Sequence, residues 1–101
     1  MNYKKTQPAI SYQDFFDLVS PLKTFKSLRG KPYEELSIND SMMNFVRKAT
    51  GKRWKMDLKD VHKAYLELNN FKTENFRPYV PRTHSPALGL LLHLGLLVKV
   101  G

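Results

Sequence analysis

The segment MMNFVRKATGKRWKMDL, residues 42–58, decides the fold that we predict for this chain. Two runs with strand-forming residues, 42–49 and 53–58, flank Thr50-Gly51. Glycine accepts the positive φ that a tight hairpin turn requires. We therefore predict an antiparallel hairpin with a two-residue loop.

A two-residue loop determines the cross-strand partners of this hairpin. It places Arg47 opposite Trp54, on the face that also carries the apolar side chains, in a cation–π contact. Lys48 then lies opposite Arg53 on the other face, a like-charge pair that a bound anion would relieve.

A third strand and its turn precede the hairpin. We predict this strand over Tyr33–Ile38, joined to the hairpin by a turn at Asn39-Asp40. Leu36 extends the apolar face, whereas Tyr33 flanks the opposite, polar face. The three strands therefore form an antiparallel meander.

Helical signals occur on both sides of the strands. Ser11 is a suitable N-cap for a helix over Tyr12–Ser20. Pro21 either ends that helix or opens a further helical turn that Gly30 closes. After the strands, Asp57 caps a helix over residues 58–69.

The most apolar helix lies near the end of the sequence. Ser85 and Pro86 suit the N-cap and the first position of a helix, and residues 87–94 are apolar on nearly every face. Such a helix is expected in the core. Gly95 ends it, and residues 96–100 either add a strand or cover a sheet edge.

Together these elements predict an α+β fold in two layers. The order is an N-terminal helix, a three-stranded antiparallel meander, and two helices, of which the C-terminal one is buried. Residues 11–101 form this single domain, and residues 1–10 form a loosely ordered N-terminal arm. The chain of 101 residues, 42% of them hydrophobic, is large enough for one core.

The composition excludes several functional classes. The chain has no cysteine, which rules out disulfides, thiolate catalysis and Cys-ligated metals. Its three histidines lack the spacing of a zinc site, and no complete catalytic or cofactor motif is present. We expect no enzymatic activity, no cofactor and no metal. Without a signal peptide or a membrane-spanning run, we expect a cytoplasmic protein with no membrane partner.

Positive charge is concentrated around the hairpin. Residues 47–63 carry seven cations and two anions, a net charge of +5 out of the formal +8 of the chain. Such a field is typical of a protein that binds a polyanion, and also of one whose charges only maintain solubility. The hairpin cations that we expect to contact a polyanion are Arg47, Lys48, Lys52, Arg53 and Lys55.

A second basic segment is RPYVPRTH, residues 77–84. Arg77 and Arg82 lie on a proline-stiffened loop that leads to the start of the C-terminal helix, where anions bind readily. If hairpin and loop lie on one side of the domain, they form a continuous basic surface. Otherwise the loop is a rigid connector with exposed arginines.

These features favour a small non-enzymatic binding protein, with nucleic acid as the first candidate partner. The alternative is a protein-interaction or structural module, either a homodimer that buries the C-terminal helix or a domain that contacts an acidic protein. A more distant alternative is a metal-dependent nuclease, because Asp57-Leu58-Lys59 resembles part of the carboxylate-x-Lys element of such enzymes.

Overall fold

The basic hairpin lies in a four-stranded antiparallel sheet in the computed structural model, which describes residues 2–6 and 9–100. The sheet has the order β2-β3-β4-β5. Its strands are β2 (Phe25–Lys26), β3 (Pro32–Asn39), β4 (Met42–Arg47) and β5 (Lys52–Asp57). The antiparallel meander and the α+β class are therefore confirmed. The sheet has one more strand than predicted, because the short β2 pairs with β3.

A separate two-stranded sheet joins the two ends of the described chain. β1 (Asn2–Lys5) pairs antiparallel with β6 (Leu97–Val100). The final strand was one of the two alternatives predicted for residues 96–100. Residues 1–10 were predicted to form a loosely ordered arm, and in the structure Asn2–Lys5 form β1. The segment NYKK shows no apolar alternation, so its strand depends on a distant partner. Three residues of that arm lie outside the described part of the chain: Met1, Gln7 and Pro8.

Three α-helices and one short 3-10 helix complete the fold of residues 2–6 and 9–100. They are α1 (Tyr12–Val19), α2 (Leu58–Glu67), a 3-10 helix (Thr73–Phe76) and α3 (His84–His93). The predicted caps of α1 and α2 are confirmed. The Ser11 hydroxyl accepts from the Asp14 N–H at 3.1 Å, and the Asp57 carboxylate accepts from the Lys59 N–H at 2.9 Å. In the described part of the chain, no helix is both long and apolar enough to cross a membrane.

The start of α3 differs from the prediction. The helix begins at His84 with Thr83 at the N-cap, not at Ser85, and Pro86 occupies the third helical position. Proline fits there because the first four N–H groups of a helix have no intrahelical partner. The prediction that this helix is buried is confirmed, since every residue of 86–91 is buried.

A close approach of backbones fixes α3 against the sheet. A Cβ at Gly89 would lie 2.9 Å from the Lys26 carbonyl oxygen in β2 and 3.5 Å from the Ser27 Cα. Only glycine permits this packing without displacement of one of the two segments. The contact brings the first turn of α3 toward the turn that follows β2.

The hairpin has a four-residue loop, residues 48–51, and Arg47 pairs with Lys52. The Arg47 carbonyl accepts from the Thr50 N–H at 3.1 Å and from the Gly51 N–H at 2.7 Å. Gly51 has a φ of 70°, whereas the φ of Thr50 is negative. The predicted two-residue loop is wrong because its favoured turn requires positive φ at both central positions, which a β-branched threonine resists.

The longer loop shifts the pairing by two residues and changes the partners of the basic side chains. Arg53 lies opposite Val46, so the predicted pair with Lys48 is wrong. Lys48 lies in the loop instead, with its Nζ 3.6 Å from a carboxylate oxygen of Glu34. A two-residue shift keeps the side chains that remain in the two strands on their predicted faces, because side chains alternate with a period of two.

A bulge in β3 turns Tyr33 toward the core. The pairing with β4 shifts by one residue between Glu34 and Ser37, and Glu35 has a φ of 54°. The extra residue reverses the alternation, so that Tyr33 and Leu36 share the core-facing side despite their odd spacing. Tyr33 is only 4% exposed, and its predicted position on the polar face is wrong.

Candidate functional site

A cavity of about 470 Å³ lies between the hairpin, the turn after β2 and the first turn of α3. Its lining includes four cations and, among the described residues, no carboxylate. We call it the basic cavity and define it by these four cations: Arg29, Lys31, Arg47 and Arg82. Its volume is in the range of small-ligand sites. Walls of one charge sign focus the field and raise the local concentration of counter-ions.

Arg47 is the most enclosed of the four cations. It ends β4 on the core-facing side, directly opposite Tyr33 in β3. Its side chain is half-buried, and its Nε is buried without a hydrogen-bond partner among residues 2–6 and 9–100. An unsatisfied buried N–H costs about 1–3 kcal/mol. Arg47 therefore retains a donor that an anion in the cavity can use.

The start of α3 adds polar groups to the same cavity. Ser85 and Pro86, both in the first turn of α3, line the wall. Thr83 at the N-cap makes no capping hydrogen bond through its side chain. The N–H groups of a first helical turn and the positive end of the helix dipole favour negative charge. This end of α3 thus adds to the field of the four cations.

Two aromatic residues complete the wall of the basic cavity. Tyr33 packs against Phe25, with ring centroids 4.8 Å apart, and Trp54 is half-buried. Burial raises the pKa of the Tyr33 phenol above its usual value of 10.0, while the charge of Arg47 acts in the opposite direction. The phenol is therefore protonated at neutral pH and can donate a hydrogen bond to an anion.

The seven basic residues that the sequence singled out are divided among four places. Arg47 from the hairpin and Arg82 from the loop line the basic cavity together, so the two basic segments do meet. Lys48 and Lys52 lie exposed at the hairpin loop, and Arg77 is exposed away from the cavity lining. The remaining two, Arg53 and Lys55, project from the opposite side of the sheet.

That opposite side, which we call the outer sheet face, carries Glu34, Asn44, Arg53 and Lys55. Arg53 and Lys55 are both exposed, and they alternate along β5 with the core-facing Trp54. Glu34 on this face forms the ion pair with Lys48. The surface is therefore open and of mixed charge.

Trp54 has a different neighbour from the predicted one. It lies opposite Phe45 in β4, and Arg47 lies opposite Lys52. The predicted cross-strand pair of Arg47 and Trp54 is therefore wrong, and with it the basis for their cation–π contact. Both residues nevertheless line the basic cavity.

The seven candidate residues did not include two of the four cavity cations, Arg29 and Lys31. In this segment Pro21 was predicted either to end the first helix or to open a further helical turn closed by Gly30, whereas the chain forms β2 and then a tight turn. The Ser27 N–H donates to the Lys31 carbonyl at 2.8 Å, and Gly30 has a φ of 81°. Gly30 was the signal in the sequence that could have indicated this turn. Glycine accepts positive φ, which occurs in turns between strands as well as at helix ends.

The structure also bears on the alternatives to anion binding. Residues 86–91 of α3, whose apolar surface suggested a homodimer, are buried within the domain. Asp57 is engaged as the cap of α2. Within residues 2–6 and 9–100, no three acidic or histidine side chains converge as a metal site would need. His62 contacts the Ile10 carbonyl oxygen through Nε2 at 2.9 Å, as a core residue does.

No protein-family model, curated protein or solved structure matches this chain. The case for a function therefore depends on the geometry and charge of the basic cavity.

Proposed function

We propose that this chain is a non-enzymatic nucleic-acid-binding domain, and that the basic cavity and the adjacent hairpin loop form its contact surface. One observation supports this most strongly: cations from three separate segments line a single cavity, and the described residues of its lining include no carboxylate. Charges that serve only solubility are normally dispersed and of mixed sign. Convergence of like charges costs electrostatic free energy, which a bound polyanion offsets.

The chemistry of the lining favours nucleic acid over an acidic protein. Three of the four cations are arginines, whose planar guanidinium matches phosphate oxygens in a bidentate arrangement. Carboxylates also pair with arginine, but an acidic peptide offers no base to an aromatic ring. The half-buried Trp54 lines the same cavity, and stacking on an aromatic ring is the common way to hold a base.

The size of the cavity favours single strands over duplexes. A volume of about 470 Å³ accommodates a nucleotide unit, not the width of a double helix. In a duplex the bases are stacked on each other and cannot reach an aromatic wall. We therefore expect single-stranded DNA or RNA to bind more tightly than a duplex of the same sequence.

Fluorescence anisotropy with labelled single-stranded DNA, RNA and duplex DNA tests this proposal. The titrations run from about 50 to 200 mM salt in a phosphate-free buffer. If three or four phosphates are engaged, the slope of log affinity against log salt is about −2 to −3 for single strands. Absence of binding to all three nucleic acids at about 50 mM salt would refute the proposal.

Polyglutamate is the matched competitor, because it is a flexible polyanion without phosphates or bases. We expect it to displace the labelled strand only at a much higher concentration of charges than unlabelled DNA does. Equal displacement at equal charge would mean that any polyanion suffices. That outcome would reject specific recognition of nucleic acid and favour an acidic protein as the partner.

A further inference from the structure

We infer that the basic cavity binds the terminal phosphomonoester of a nucleotide or of a nucleic-acid strand. This inference rests on the proposed function and specifies the group that the cavity recognises. It concerns the residues that line the cavity, not the exposed cations of the hairpin loop or the outer sheet face.

The charge of the cavity matches a monoester better than an internal phosphate. A phosphomonoester carries a charge of about −1.5 to −2 at neutral pH and three acceptor oxygens. A phosphodiester in the middle of a strand carries a single negative charge and two free oxygens. Four cations without a carboxylate around one cavity leave more positive charge than one diester neutralises.

The donors of the cavity come from different directions. Arg47 approaches from the end of β4 with its buried Nε, and Arg29 and Lys31 come from the turn after β2. Arg82 and the first turn of α3 with Ser85 form another wall. Hydrogen-bond donors that surround one position suit a terminal phosphate, because its three free oxygens point in different directions. An internal diester must also leave room for the chain on both sides.

The position of Trp54 indicates that the phosphate belongs to a nucleotide. This half-buried side chain lines the same cavity as the four cations, so a base attached to the bound phosphate has an aromatic ring within reach. Stacking on an aromatic ring is tolerant of base identity. Inorganic phosphate offers only the charged part of this combination, and we expect it to bind more weakly than a mononucleotide.

The test compares single-stranded oligonucleotides of one sequence with a hydroxyl at both ends, a 5′-phosphate, or a 3′-phosphate. Binding is measured by anisotropy with the label inside the strand. We expect a phosphate at one end to raise the affinity about tenfold or more, the effect of one strong charge-assisted contact. A free mononucleotide and inorganic phosphate serve as competitors, to distinguish a strand end from a free nucleotide and from phosphate alone.

Arg82→Gln and Arg53→Gln form the matched pair of variants. Both side chains are exposed, both substitutions remove one positive charge, and only Arg82 lines the cavity. We expect Arg82→Gln to remove most of the advantage of the terminal phosphate, while Arg53→Gln preserves it. The difference between the two variants measures the coupling between Arg82 and the phosphate.

The outcomes separate this inference from the proposed function. Equal affinity for all three oligonucleotides overturns the inference and leaves nucleic-acid binding intact. A mononucleotide that binds as tightly as a phosphorylated strand supports the phosphate site but rejects the nucleic-acid role. If neither strands nor mononucleotide bind, both fail. Equal losses of the phosphate advantage in Arg82→Gln and Arg53→Gln also overturn the inference.

Discussion

The basic cavity and the outer sheet face carry charge of the same sign in opposite arrangements. Around the cavity, four cations converge without a carboxylate in the lining. On the outer sheet face, Arg53 and Lys55 are exposed beside Glu34, and Glu34 pairs with the nearby Lys48. The density of positive charge along the sequence is highest in the hairpin that contributes to both. Convergence in space, and not density along the chain, therefore distinguishes the candidate site.

Matched charge reversals test whether convergence of charge or net charge alone matters for binding. Arg29→Glu/Arg82→Glu alters the basic cavity, and Arg53→Glu/Lys55→Glu alters the outer sheet face. All four side chains are exposed, and both variants change the net charge equally. We expect the first variant to lose about 100-fold in affinity for single-stranded DNA at low salt, and the second less than about tenfold. Anisotropy measures both, and circular dichroism verifies the fold. Equal losses would show that only net charge matters.

A second variant changes the shape of the cavity without changing any charge. In Gly89→Ala the new methyl group meets the Lys26 carbonyl, which displaces α3 from β2 and the turn beside it. We expect the free energy of unfolding to fall by about 1–2 kcal/mol, since overpacking outweighs the higher helix propensity of alanine.

Urea denaturation measures this loss, with His93→Ala, an exposed position in the same helix, as the control. The control should stay within about 0.5 kcal/mol of the parent chain. We also expect Gly89→Ala to weaken the response to a terminal phosphate. An unchanged stability would mean that α3 and β2 separate easily, and that their contact does not shape the cavity.

Stability also distinguishes the two neighbouring cations Arg47 and Lys48. Arg47→Met removes a buried N–H without a partner, so we expect the free energy of unfolding to rise by about 1 kcal/mol while binding falls. Lys48→Met removes an exposed ion pair, which contributes little. Denaturation of both variants is the measurement. A loss of stability in Arg47→Met would show that the arginine is structural.

The pKa values of two tyrosines provide the smallest effect. Burial raises the pKa of Tyr33, and Arg47 partly opposes the increase. The pKa of Tyr79 is raised mainly by its hydrogen bond to Glu67. Arg47→Met should therefore raise the pKa of Tyr33 further and leave that of Tyr79 unchanged. Ultraviolet absorbance titration, assigned with Tyr33→Phe and Tyr79→Phe, measures both values. A shift of both, or of neither, would contradict the position of Arg47 in the cavity.

The same shift predicts how stability depends on pH. The unfolded phenol ionises near its usual value of 10.0, whereas folded Tyr33 keeps its proton to higher pH. Proton loss from the unfolded chain therefore lowers the free energy of unfolding as the pH rises above about 10. Tyr33→Phe should make this decrease shallower than in the parent chain.

Elements with strong local signals were predictable from the sequence. The caps at Ser11 and Asp57 and the apolar run of α3 placed three helices within a few residues of their observed positions. The hairpin kept its predicted faces despite the wrong loop, because an error of two residues does not exchange the two sides of a strand. Local chemistry thus determined the main elements.

The basic cavity was less predictable, because three of its features depend on distant parts of the chain. The bulge near Glu35 turns Tyr33 inward, and no residue type in this segment requires it. β2 is only two residues long and depends on pairing with β3. Arg47 and Arg82 line one cavity because of the way α3 packs on the sheet. Neither basic segment carries a sequence signal for that packing.

The pairing of β1 with β6 affects the order in which the molecule opens and closes. This pair joins Asn2 to Val100, so its formation closes a loop of nearly the whole described chain. Closing a loop of that length costs conformational entropy, and only four residue pairs offset this cost. We therefore expect the two strands to pair late in folding. We expect the β1–β6 amides to exchange with solvent faster than those of β4, by a partial opening of the native state. No residue that lines the basic cavity belongs to either strand, so the partly opened molecule would retain this cavity.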